Sequence, residues 1–168
     1  MGRQHIWRRV AFAPGDVFGL ACDVTDYPNF IKYITAVRIK NENTDGPLRT
    51  LLAEVRVHYK YVRERFSTHV TLDREARTVD VKLARGPFRR LRNAWHIHAL
   101  DDGSSLVEFK IDYELSVPFL GQLLRAREER AANAIITAFE RRAAERFAPA
   151  GGDEAHVAAQ IASLKGSG

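Results

Sequence analysis

Few residues of this 168-residue chain are arranged in a pattern typical of catalysis or metal binding. His96 and His98 lie two residues apart, a spacing that on a strand can direct two imidazoles toward one metal ion. They fall on the polar face of their segment, and no matched cysteine or carboxylate set accompanies them, so we interpret them as a solvated pair. The sequence contains no glycine-rich phosphate loop, nucleophile elbow or cysteine cluster. It therefore predicts no catalytic residue, no metal site and no required cofactor.

Two polar residues interrupt segments that are otherwise apolar on one side. Glu64 is in phase with Phe66, and Asn93 falls between inward-facing Leu91 and Trp95. An unpaired polar group on such a face is costly, which makes both residues candidate contacts for the polar head of a bound molecule. Two alternatives stay open: Glu64 reaches water at a bulge or at an open strand end, and Asn93 hydrogen-bonds to neighbouring backbone.

A basic loop is the third candidate site. Arginines surround the turn formed by residues 86–88: Arg85, Arg89, Arg90 and Arg92. With Phe88 at its tip, this loop suits contact with an anionic membrane surface or with RNA, and Phe119 is a candidate apolar neighbour. The alternative is a solvated hairpin in which Phe88 folds back onto the core. DNA is not expected as a partner.

Period-two alternation of apolar and polar residues runs through most of the chain. It is clearest over residues 51–59 and recurs over residues 5–12, 34–43, 62–70, 78–84, 91–99 and 106–115. Turn residues separate many of these segments, at residues 45–47, 86–87 and 101–103. Sequential strands joined by short turns predict an antiparallel sheet with one covered face and one wet face.

Helical periodicity appears in two places. Pro14 begins a short apolar segment between the first two strands, and residues 118–147 carry an apolar stripe that predicts a helix of roughly 40 Å. Many members of the stripe are alanines, which leave room between helix and sheet. The fold class predicted is α+β: a curved antiparallel sheet of about seven strands wrapped around a long C-terminal helix. Residues 1–148 form one domain, and residues 149–168 are expected to be a flexible tail.

The bulk composition agrees with one globular domain: 45% of residues are hydrophobic and 28% are charged. The net charge of +5 permits contact with anionic lipid or RNA without identifying either. A single cysteine, Cys22, is expected to be a buried packing residue. With no apolar leader or bilayer-length segment, the sequence predicts a cytoplasmic protein, and peripheral contact with the inner membrane is left open.

Three stretches together resemble a known family. They are residues 23–30, which read Asp-Val-Thr-Asp-Tyr-Pro-Asn-Phe; residues 63–66; and the Gly-Pro-Phe turn at 86–88 with Asn93 and Trp95 downstream. From His5 to about Phe147 the chain resembles the coenzyme-Q-binding branch of the START-like, or helix-grip, proteins, which includes bacterial ribosome-association toxins. Bacterial members often read Trp-Cys where this chain has Tyr33 and Ile34. The resemblance implies a ubiquinone-type ligand, a role in respiration, or binding to the large ribosomal subunit.

The residues and the resemblance together predict a non-enzymatic protein that holds ubiquinone between the sheet and the long helix. The candidate ligand contacts are the inward-facing residues of the strands and helix: Val55, Val57, Glu64, Phe66, Val81, Leu83, Asn93, Trp95, Phe109, Tyr113, Leu123 and Ile135. One alternative is a regulator that binds the large ribosomal subunit through its arginines. Another is a cyclase or aromatase in which Glu64 or Tyr113 supplies acid–base groups.

Overall fold

In a computed structural model that describes residues 2–116 and 128–167, seven strands form one antiparallel sheet. The strands are β1 (Gly2–Val10), β2 (Ile34–Asp45), β3 (Leu48–Tyr59), β4 (Val62–Asp73), β5 (Thr78–Arg85), β6 (Phe88–Ala99) and β7 (Ser105–Leu115). Their order in the sheet is β1-β7-β6-β5-β4-β3-β2, so consecutive strands from β2 to β7 are neighbours and β1 lies beside β7. This meander confirms the predicted sheet.

The register assigns residues to the two faces of the sheet. On the inner face Val81 is the partner of Asn93, and Trp95 is the partner of Phe109. On the outer face Glu108 is the partner of Trp7 on one side and of His96 on the other. Because side chains alternate along a strand, each strand contributes to both faces.

Three α-helices are described: α1 (Pro14–Cys22), α2 (Glu128–Arg146) and α3 (Ala158–Gly166). Short 3-10 turns follow α1 (Val24–Asn29) and precede α3 (Glu154–Val157). The described part of α2 buries a stripe at helical spacing in the core of the domain: Ala132, Ile136, Phe139 and Ala143. These observations confirm the predicted α+β architecture, while residues 118–127 of the predicted helix lie outside the described residues. No described helix is long and apolar enough to cross a bilayer.

Polar contacts hold α2 against its neighbours. The Arg8 guanidinium of β1 donates to Thr137 Oγ1 at 2.8 Å, to Glu140 Oε1 at 3.0 Å and to Asn133 Oδ1 at 2.9 Å. Arg142 of α2 donates two hydrogen bonds to the Asp26 carboxylate, at 2.9 and 3.1 Å. The helix is therefore fastened both to the edge of the sheet and to the first 3-10 turn.

The C-terminal segment differs from the flexible tail that the sequence predicted. Val157 and Ile161 are buried in a small apolar cluster with Leu100 and Leu106, against which Trp7 also packs. A polar contact also holds the C-terminal segment: the backbone N–H of Gly152 donates to Asp102 Oδ2, in the turn between β6 and β7. The tail folds onto the outer face of the sheet because its helical spacing gives it an apolar stripe of its own.

Candidate functional site

A cavity of about 380 Å³ lies between the inner face of the sheet, helix α2 and the first 3-10 turn. This volume is within the range of small-molecule sites, which is roughly 300–1,000 Å³. Its walls are mostly aliphatic and aromatic side chains, with only a few polar groups. The cavity can therefore hold an apolar molecule away from water.

Small and branched side chains create this space. From α2, Ala132 contributes only a methyl group to the wall, so the helix leaves room above the sheet. At one side the cavity is closed by aromatic packing, in which Trp95 lies 4.4 Å from Phe109 and 5.0 Å from Phe139 between ring centroids. These three rings thus form an aromatic part of the wall, and strands from β2 to β7 all contribute to the rest of it.

Most of the residues predicted to contact a ligand line this cavity: Val55, Val57, Phe66, Val81, Asn93, Trp95, Phe109, Tyr113 and Ile135. Their role in binding stays a prediction. Leu83 is half-buried and does not line the cavity, although its cross-strand partner Thr68 does. Leu123 lies outside the described residues.

Glu64 does not line the cavity either, although its cross-strand partner Val57 does. It is half-buried near the beginning of β4 and lines a neighbouring, open groove with Arg56, Arg63 and Arg65. The sequence left open whether Glu64 reaches water at a bulge or at an open strand end, and the structure favours the open strand end. Glu64 is therefore poorly placed to serve as a polar contact for a ligand inside the cavity.

Asn93 has the environment expected of a ligand contact. Its side chain lines the cavity, and its Oδ1 atom is buried without a hydrogen-bond partner among the described residues. Leaving a buried acceptor unsatisfied costs about 1–3 kcal/mol. Since amide oxygen and nitrogen can exchange places by rotation, Asn93 can offer either an acceptor or a donor to a bound molecule.

Tyr27, which also lines the cavity, differs from Asn93. The Tyr27 hydroxyl donates to the backbone carbonyl of Ala21, and burial raises the pKa of this phenol well above its usual value. Burial likewise raises the pKa of the nearby Cys22 thiol to about 11, in agreement with a packing role. Tyr27 is thus a neutral, satisfied part of the wall rather than a proton donor for chemistry.

The Gly-Pro-Phe turn is explained by close packing at one rim of the cavity. A Cβ at Gly86 would collide with Cβ of Phe66, and the φ of 152° at Gly86 disfavours other residues. This close approach brings Phe88 into edge-to-face contact with Phe66, with ring centroids 5.4 Å apart. Phe88 consequently lines the cavity and is not an exposed tip.

The arginines of this turn are largely paired. Arg90 lies 3.0 Å from Asp112, Arg89 lies 3.6 Å from Glu114 and Arg92 lies 3.5 Å from Asp80. Arg85 is exposed, and Phe119 lies outside the described residues. The predicted membrane or RNA contact therefore stays a prediction, but this loop is less positively charged than its sequence indicates.

A polar cluster on the outer face was missed by sequence reasoning. Glu108 accepts hydrogen bonds from His5 at 2.7 Å and from His98 at 3.1 Å, with His96 4.0 Å away. The expectation that no carboxylate accompanies the histidine pair is wrong, because β7 places Glu108 beside them. The available signal was strand phase: Glu108 falls on the polar side of a segment with Val107 and Phe109 facing inward.

Burial and hydrogen bonding determine the protonation states of Glu108 and His96 in this cluster. Burial acts to raise the pKa of Glu108, but hydrogen bonds from His98 and His5 together with Lys110 outweigh it and hold the pKa below its usual value. Burial, reinforced by neighbouring His98, lowers the pKa of His96. At neutral pH the cluster thus contains a carboxylate next to a neutral imidazole at position 96.

Comparisons with known proteins agree with the fold. A family model described as polyketide cyclase / dehydrase and lipid transport matches residues 10–140. The solution structure of an 18 kDa protein from Caulobacter crescentus is 36% identical, with a TM-score of 0.73, and the match covers 86% of this chain and 97% of that one. A START superfamily protein from Mycobacterium smegmatis also has a TM-score of 0.73 at 19% identity, over 85% and 97% of the two chains. The predicted START-like fold is confirmed.

Relatives found by sequence similarity are named for ribosome association. Ribosome association toxin RatA of Rickettsia prowazekii is 27% identical over 145 residues, which cover 84% of this chain and 95% of that protein. The resemblance to the branch with ribosome-association proteins is therefore confirmed.

Proposed function

Because this chain belongs to the polyketide cyclase / dehydrase and lipid transport family, we propose that its cavity carries an apolar molecule of the ubiquinone type without transforming it. The observation that carries the proposal is the buried Asn93 side chain, whose Oδ1 atom has no hydrogen-bond partner among the described residues, in a mostly apolar cavity. A quinone carries carbonyl oxygens, which accept hydrogen bonds, on a ring attached to an isoprenoid chain, so the Asn93 amide must turn to present its NH2 group to the ring. Its ring would accept a hydrogen bond from the turned Asn93 amide while its chain lies against the aliphatic walls.

Burial of the chain supplies the binding energy. Each Å² of apolar surface removed from water contributes about 25 cal/mol, before the cost of ordering the ligand is subtracted. The branched side chains of the inner face offer such contacts, and the wall contributed by Ala132 leaves the required space. In this account the protein shields the chain from water and exchanges its cargo at the membrane surface during transient contact.

The polar groups of the cavity favour carriage over catalysis. The described residues that line it include no carboxylate and no histidine, and the Tyr27 hydroxyl is committed to a backbone carbonyl. A cyclase would need positioned acid and base groups. Of the two groups considered for that role, Glu64 does not line the cavity, and Tyr113 lines it with no carboxylate or histidine among the other described wall residues. These contacts support a binding protein.

The direct experiment is organic extraction of the protein purified from its native host, followed by mass spectrometry and a quinone absorbance spectrum. The proposal predicts a quinone close to one per chain. Reconstitution with short-chain ubiquinone controls for loss of ligand during purification. An empty protein that also fails to bind added quinone would remove the ubiquinone assignment.

A second function has a specific observation in its favour. Arg56 and Arg65 are direct cross-strand partners and are exposed, an arrangement of like charges that is ordinarily destabilising. With Arg63 they line an open groove, and none of the three forms an ion pair with a described acidic residue. Such a surface suits the phosphates of RNA, in keeping with the ribosome-association names of the relatives.

The ribosome proposal is tested by sedimentation with large ribosomal subunits at increasing salt. Binding through arginines predicts a steep loss of association as salt rises. The double variant Arg56→Glu/Arg65→Glu should abolish association, while Arg90→Glu, which replaces an arginine already paired with Asp112, should have a smaller effect. Absence of association at low salt would eliminate this second function.

A further inference from the structure

The outer face of the sheet carries a convergent set of metal-ligating groups that neither proposed function uses. His96 and His98 come from β6, and Glu108 comes from neighbouring β7. Their nearest ligating atoms all lie within 4.8 Å of one another. His98 Nε2 is 3.1 Å and His96 Nδ1 is 4.0 Å from the same atom, Glu108 Oε1. Two ring nitrogens and one carboxylate oxygen therefore converge on one small volume.

The carboxylate of this set is fixed in position. Glu108 is only 8% exposed, and its other oxygen, Oε2, lies 2.7 Å from His5 Nε2 on β1. A hydrogen bond to the far oxygen of a ligating carboxylate is the usual way in which an outer partner orients it. Trp7 stacks on His98, with ring centroids 5.6 Å apart, and so restricts that ring as well. Both groups are held by contacts from a third strand.

We propose that His96, His98 and Glu108 bind one zinc-class divalent ion, with water in the fourth position and His5 as a positioning residue. Two histidines with one glutamate form a known zinc ligand set. Tetrahedral bonds of about 2.0–2.1 Å place ligand atoms roughly 3.3 Å apart, so the present spacing needs only a small inward rotation. His96 has this freedom, since 42% of its side chain is exposed.

Neighbouring cations are compatible with this site. The Lys110 ammonium lies 3.4 Å from Oε2 of Glu108, on the oxygen opposite the histidine pair. The ion would bind at Oε1 and leave that contact in place. The Arg77 side chain donates from Nε to the backbone carbonyl of Ile97 at 3.1 Å, and its positive charge also acts on His96. Nitrogen ligands favour zinc, nickel, cobalt or copper over magnesium and calcium, which prefer oxygen.

The test is titration of the untagged, full-length protein with Zn²⁺ by calorimetry, with Co²⁺ absorbance to report coordination. The expected result is one ion per chain. His96→Ala and His98→Ala should each weaken binding more than tenfold, and His5→Gln should weaken it by about tenfold. His69→Ala, which removes an exposed histidine of β4, should leave the affinity unchanged.

Thermal unfolding provides the second measurement. Zn²⁺ should raise the melting temperature of the wild type, because a ligand of the folded state stabilises it, and should not raise that of His96→Ala. The exposed position of His96 makes this variant the safer one if His98→Ala fails to fold. The proposal expects a Kd of about 10 μM or tighter. Absence of Zn²⁺ binding to the wild type at 0.1 mM, about tenfold above that Kd, would overturn it. Equal weakening by His69→Ala would overturn it as well.

Discussion

Asn93 and Glu108 are polar side chains on adjacent strands that face opposite sides of one sheet. On the inner face, Asn93 presents an acceptor atom with no partner among the described residues. On the outer face, Glu108 is surrounded by His5, His98 and Lys110. The difference shows that one sheet can present an apolar surface on one face and a charged, hydrogen-bonded cluster on the other. The inner face is mostly apolar with one unpartnered polar atom, whereas the outer face brings together charged groups and histidine nitrogens.

The largest expected effect comes from placing the same charge on either face of β5. Val81→Asp puts a carboxylate in the cavity, where its desolvation should reduce quinone binding at least about 100-fold, equivalent to ~2.7 kcal/mol. Lys82→Asp places the carboxylate on the exposed outer side one residue later and should change binding less than about twofold. Equilibrium titration with short-chain ubiquinone measures both. Equal losses in the two variants would break the comparison between the faces.

Asn93→Leu sharpens the comparison by removing the orphaned amide. Quinone affinity should fall about tenfold, or ~1.4 kcal/mol, because the ring loses its hydrogen bond, while affinity for an isoprenoid hydrocarbon should be retained. The ligand-free variant should be more stable in urea by about 1 kcal/mol, since a buried unsatisfied group is gone. Ile111→Val, a change in the cross-strand partner of Asn93, serves as control and should affect both ligands alike. A less stable Asn93→Leu protein would argue for an existing partner.

The smallest effect concerns the ion pair beside the cavity. Burial acts to raise the pKa of Asp26, but hydrogen bonds from Asn29 and Arg142 outweigh it and lower the pKa. A lowered folded-state pKa contributes stability above the unfolded value of 3.8, and this contribution is lost as pH falls through the folded value. Asp26→Asn should therefore cost about 0.5–1 kcal/mol at pH 7 and progressively less as the pH falls below 3.8.

Urea unfolding at pH 7 and at pH 3 measures this difference. Asp45→Asn is the control, because Asp45 is exposed at the end of β2 and should show little effect at either pH. A cost of Asp26→Asn that is the same at both pH values would show that the ion pair does not supply the stability.

Strand alternation was sufficient to predict most of the cavity. Val55, Val57 and Phe66 were assigned inward from period two alone, and the structure places them in the wall. Alternation gives the face of a residue but not how far along a strand the cavity extends. Leu83 is paired with the wall residue Thr68 yet does not line the cavity, and Glu64 lies near the beginning of β4, where a groove opens to water.

The outer cluster and the tail required knowledge of topology. His5 and Glu108 are 103 residues apart and meet only because β1 lies beside β7. Likewise, the apolar stripe of the tail gave no indication of the surface that buries Ile161. Period and phase describe one element at a time, and pairing between distant elements follows from the whole sheet.

The two tryptophans of the chain allow the most direct test, because Trp95 lines the cavity and Trp7 packs on the outer face. Trp7→Phe leaves Trp95 as the reporter, and Trp95→Phe leaves Trp7. Each variant is titrated with short-chain ubiquinone, whose ring quenches tryptophan fluorescence on close contact. A carrier with its ligand in the cavity predicts saturable quenching of Trp95, at one quinone per chain, and little quenching of Trp7. Equal, non-saturating quenching of both, or none, would contradict the account.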